Sequence, residues 1–108
     1  MPEMHFIVRW PDGAEMRCYS PSLIVREYLE VGRSYPVGDF LERSRTMLHI
    51  ASERVRAKYG FACSAALDQL ATLEERAAAE PAPGRAAVTI LAFDFGAAPE
   101  RAGEAGRG

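Results

Sequence analysis

Long apolar runs, lysine and cysteine are what this chain has least of, and each shortage excludes a class of protein. No run of about 18 apolar residues occurs in the 108-residue sequence, so no membrane-spanning helix is expected. The opening MPEMHFIVRW has neither the basic segment nor the apolar stretch of a secretory signal, and a cytoplasmic protein is expected. Lysine occurs once: the 13 basic residues are 12 arginines and Lys58, a bias that reads first as a genome-level trait. The net charge of −2 supplies no global field for nucleic acid or an anionic membrane. Any anion site must therefore be local. The two cysteines, Cys18 and Cys63, have no C-x-x-C spacing and no second ligand pair nearby, which favours free thiols over a disulfide or a structural zinc site. There is no Walker loop, dinucleotide glycine fingerprint or RNA-binding aromatic signature. No metal and no cofactor is expected.

What is present is an α+β pattern. In MHFIVRWPDGAEMRCYS two alternating runs flank Pro11-Asp12-Gly13, the signs of a hairpin. Met4, Phe6, Val8 and Trp10 share its core face, and Cys18 on the second run points inward. The segment from Ser20 to Phe40 reads as a structured connection, with only Leu23 to Leu29 continuous enough for a short helix or strand. From Val37 to Tyr59 apolar residues recur at three- and four-residue intervals, predicting an amphipathic helix that stops at Gly60. A second helix is predicted from about Ser64 to Ala79, with Leu67, Leu70, Ala71, Leu73 and Ala77 inward and Asp68 in its opening turns. Ala86 to Phe95 is β-rich and apolar on both faces, fitting a strand paired with the hairpin. The expectation is one domain over residues 1–95, an antiparallel sheet of about three strands with two helices packed on one face. Phe6, Val8, Met47, Leu48 and Val55 should contribute to its core, as should Leu67, Leu70, Ile90 and Leu91. Residues 96–108 have no hydrophobic side chain larger than alanine and read as a disordered tail.

Three constellations could carry chemistry. Cys63 falls at the start of the second helix, where unpaired N–H groups and the dipole favour a thiolate, and Lys58 and Arg56 are near in sequence. It is therefore a candidate catalytic nucleophile, although the simpler reading is a structural cysteine beside the helix cap Ser64. Arg45, His49 and Arg56 fall on the helix face opposite the core stripe, where they read as a solvated face, a partner surface or a grip on a phosphate or carboxylate. Trp10 and Tyr19 bracket the hairpin and could form an exposed aromatic patch, though a strand tryptophan on a core face is commonly packing.

The blocks RWPDG, CYSPSL, FLERSRT and ASERVRAKYGFACSAALDQL occur in that order and together resemble a small family of nitrogen starvation response proteins over about Met4 to Glu75. The resemblance implies a bacterial gene cluster with a nitrilase, a radical SAM protein, an acetyltransferase, a protein similar to aminoimidazole ribonucleotide synthase and a flavin-dependent oxidoreductase. It also implies a link to nitrogen limitation and to nitrile or cyanide assimilation. It carries over no catalytic residue. The expected function is that of an accessory or interaction protein for the cluster's enzymes, with no nucleic-acid or membrane partner. The alternative is a small thiol-dependent enzyme or anionic-metabolite binder using Cys63 with Arg45, His49 or Arg56. An exposed sheet edge would also allow a homodimer.

Overall fold

The computed structural model describes residues 2–95, so the expected tail lies outside the described residues. The N-terminal hairpin forms as its alternation predicts. Strand β1 (Met4–Arg9) pairs antiparallel with β2 (Glu15–Ser20), from Met4 opposite Ser20 to Arg9 opposite Glu15. Its turn closes through Trp10 N–H to Ala14 O and Gly13 N–H to Trp10 O, each 2.8 Å. Asp12 Oδ1 accepts the Ala14 N–H at 2.9 Å, and Gly13 takes the positive φ of 93° that the bulged turn requires.

After β2 come a one-turn helix α1 (Val25–Tyr28), a three-residue strand β3 (Ser34–Pro36), the long helix α2 (Val37–Tyr59), α3 (Ser64–Ala78) and strand β4 (Ala87–Asp94). The sheet has four antiparallel strands in the order β2-β1-β4-β3. The expectation of about three strands is corrected by β3. Three residues ending on a proline hold too little period-two pattern to announce a strand, and β3 exists because β4 offers it a pairing edge. Its central Tyr35 is buried, and the Tyr35 hydroxyl accepts the Glu30 N–H at 3.0 Å. Between Ile7 and Val8 the β1–β4 register shifts: Ile7 faces Ala92 while Val8 faces Ile90. Leu91 is the extra residue of this bulge.

Met4, Phe6, Val8, Cys18, Val88 and Ile90 reach the core from the strands, and their alternating neighbours are partly or fully exposed. Helix α2 adds Val37, Phe40, Met47, Leu48 and Ala51. It ends as predicted at Gly60, where φ is 87° and the Gly60 N–H bonds to Arg56 O at 2.8 Å. Helix α3 buries Ala66, Leu70, Leu73 and Ala77, a stripe spaced by four, three and four.

Four residues expected to face inward are less buried than predicted. Leu67 is 39% exposed, because it lies one residue, about 100° of helix, from the Ala66 stripe that faces inward; Ala71 is exposed beside it. Val55 is half-buried beyond Ser52, the last buried residue of α2, and Leu91 is half-buried at the bulge.

Candidate functional site

Helix α3 begins at Ser64, and the N-cap is Cys63, with extended backbone (φ −82°, ψ 104°), rather than the expected Ser64. The Cys63 N–H donates to Ser52 Oγ at 3.2 Å, and Ser52 is buried on α2, so the hydrogen bond fixes where the chain re-enters a helix. The thiol makes no capping hydrogen bond. Cys63 is half-buried in a cleft of about 220 Å³ lined with Glu3, Tyr19, Pro21, Val55 and Tyr59. The Tyr19 hydroxyl donates to Glu3 Oε1 at 3.1 Å. Burial first, then the hydrogen bond and charge of Glu3, then the charge of Cys63 push the Tyr19 phenol up to about 12. The cleft therefore holds a thiol, a phenol that stays protonated and a carboxylate. Neither His5 nor His49 lines it; His5 packs its ring edge-on against Tyr19 at 5.6 Å.

The other candidates are not gathered around this thiol. Arg45 is held by Glu74 of α3 (Nε to Oε2, 3.0 Å) and by Glu42 (3.1 Å). The hydrogen bond that Arg45 donates to Glu74 is the main reason its pKa is raised, and the pair ties α2 to α3. His49 is exposed and lines a shallow hollow of about 380 Å³ with Ile50, Glu53, Arg54 and Ala57, all on α2. Arg56 is exposed in the last turn of α2. Trp10 is only 2% exposed, which corrects the aromatic-patch reading. Its ring meets Phe40 edge-on at 5.6 Å and carries the Arg76 guanidinium at 4.7 Å. The hairpin turn brings it down onto α2.

What the sequence reading missed is the pair of aromatics exposed at the turn between α2 and α3. Tyr59 is 52% and Phe61 67% exposed, their rings 6.4 Å apart, with Leu67 emerging from α3. Lys58 Nζ lies 5.7 Å from the Tyr59 ring centroid. The signal was the triplet Tyr59-Gly60-Phe61. A left-handed glycine between two aromatics reverses the chain there, so Phe61 falls on no helix stripe and Tyr59 ends past the core.

These features define a small α+β protein with a thiol cleft beside an exposed aromatic corner. The family model of the nitrogen starvation-induced protein NitG matches residues 5–93, and the chain belongs to that family. The match runs into β4, further than the resemblance over about Met4 to Glu75 indicates. No curated protein matches the chain, and no solved structure does.

Proposed function

We propose that this protein is a non-catalytic interaction protein in nitrogen-starvation metabolism, and that it engages an enzyme partner through the α2–α3 corner. The observation that carries this reading is the exposed Tyr59–Phe61 pair. Large aromatics are costly to leave in water, and they are the residue types that anchor binding interfaces. The flanking Arg56 and Lys58 add charge at the rim. The reading takes α2 and α3 to cover one face of the sheet, which the alternating burial of β1 supports. The candidate partners are the enzymes implied by the family resemblance: the nitrilase, the radical SAM protein, the acetyltransferase and the flavoprotein.

The test is a binding measurement of the purified protein against each enzyme. One enzyme should bind at micromolar concentration or tighter, and Tyr59→Ser/Phe61→Ser should weaken that complex by more than about tenfold, because aromatic anchors typically contribute upward of about 2 kcal/mol. The far-ultraviolet circular dichroism should not change. No binding by the wild type, or equal binding by the variant, would overturn the proposal.

The second reading, a thiol-dependent enzyme, rests on Cys63 lining a cleft at a helix start. Cys63→Ser tests it cleanly, since serine is a better N-cap than cysteine and folding should be preserved. Full function of the nitrogen pathway in a Cys63→Ser strain would remove it.

A further inference from the structure

The surface at the opposite end of α2 from the aromatic corner has a different chemistry. Arg26, Glu27, Glu30, Arg33, Tyr35 and Arg43 line a hollow of about 260 Å³ between α1, β3 and α2. Two of its arginines lie over one aromatic ring: the Arg43 and Arg33 guanidinium carbons are 4.7 and 5.8 Å from the Tyr35 centroid. The ring is itself held, since the Tyr35 hydroxyl accepts the Glu30 N–H.

Arg43 is fixed further by Nε to Asp39 Oδ2 at 3.0 Å and Nη1 to Tyr28 O at 2.8 Å. Its Nη2 group has no hydrogen bond among the described residues. Arg33 uses Nη1 on Glu30 Oε1 at 3.2 Å, and its Nε and Nη2 are likewise uncommitted among those residues. A guanidinium lying over a ring keeps its in-plane N–H donors free to meet planar or tetrahedral oxygens. Side chains already ordered by packing lose little freedom on binding.

We propose that this hollow is a binding site for a small oxyanion, a phosphate- or carboxylate-bearing metabolite gripped by Arg33 and Arg43 over Tyr35. The Arg33–Glu30 pair, 66% and 71% exposed, does not block it, because exposed ion pairs contribute little and exchange readily. Arg26, whose guanidinium lies 5.8 Å from the Phe95 ring centroid, also lines the hollow and adds a positive charge beside the carboxylates of Glu27 and Glu30. The site is independent of the aromatic corner and of Cys63.

The experiment is a titration of the full chain with inorganic phosphate and, separately, with succinate at constant ionic strength, followed by the arginine Nε–H and Tyr35 amide resonances. Saturable shifts at Arg33, Arg43 and Tyr35 are expected. Arg33→Gln should weaken binding by at least about tenfold, the scale of a lost charge-assisted hydrogen bond. Glu30→Gln should tighten it by removing the competing carboxylate, while Arg45→Gln, outside the hollow, should leave it unchanged. Saturation by phosphate alone, succinate alone or both supports the site and identifies the ligand chemistry. Non-saturating shifts equal to those from sodium chloride, or unchanged affinity in a folded Arg33→Gln, would overturn it.

Discussion

Cys18 and Cys63 show how position decides the chemistry of one side chain. Cys18 sits on the core face of β2, fully buried, and burial pushes its thiol up to about 12 from the ordinary 9.0. Cys63 is half-buried and lines a cleft. The Cys18 shift has a stability consequence whose sign follows from proton counting. Above pH 9.0 an unfolded Cys18 loses its proton while the folded one keeps it, so the folded state binds more protons and stability falls with rising pH. Tyr19, pushed up from 10.0 to about 12, acts in the same direction at higher pH. Urea unfolding should show the wild type losing about 1 kcal/mol on this account between about pH 8 and about pH 10. A Cys18→Ala variant, although less stable overall, should show a shallower loss; an equal slope would place the pH dependence elsewhere.

At the scale of the element, the join between α2 and α3 rests on one left-handed residue and one side-chain hydrogen bond. Gly60 adopts φ 87°, and a Cβ added there would meet nothing within 4 Å. Replacing it therefore costs conformational energy and not a clash. Gly60→Ala should lose about 1 kcal/mol of stability and Gly60→Asn less, because asparagine tolerates the left-handed region better. Thermal or urea denaturation decides this, and an alanine variant as stable as the wild type would show that the corner can re-form with another backbone. The Ser52–Cys63 hydrogen bond should keep α3 starting at the same residue in both variants. The same corner exposes Tyr59 and Phe61, so the turn that ends α2 also builds the proposed interaction surface.

For the whole molecule, the exposed sheet edges expected from the sequence are guarded. The outermost strand β2 is covered on its outer edge by α3, where Gln69 Oε1 accepts the Tyr19 N–H at 2.9 Å. At the other side β3 is only three residues long and ends on Pro36, which has no N–H to offer. Sheet-to-sheet pairing between copies is therefore disfavoured. Light scattering should give a mass near 11.9 kDa that does not rise with concentration. Gln69→Leu should uncover the Tyr19 N–H, lower stability by about 1 kcal/mol and make the mass concentration-dependent. A wild type that already dimerises, with Gln69→Leu unchanged, would show that association uses another surface.

The features legible in the sequence were those set by local periodicity and local backbone chemistry. Alternation marked β1, β2 and the inward Cys18. The three–four spacing marked α2 from Val37 to Tyr59, and Gly60 marked its end. The start of α3 at Ser64 followed from the apolar spacing after Cys63. What only the tertiary structure decided depends on partners distant in sequence. Tyr35 belongs to a strand because β4 lies beside it, Leu67 is exposed because Ala66 faces the core, and Trp10, which the alternation already placed on the core face, finds Phe40 and Arg76 as its partners only in the folded chain. The candidate site divides the same way. Cys63 at a helix start was readable, but the cleft made by Glu3, Tyr19 and Tyr59, and the placing of Arg45, His49 and Arg56 away from it, arise from packing. Periodicity records which residues share a face of one element; only the assembled elements determine what that face meets.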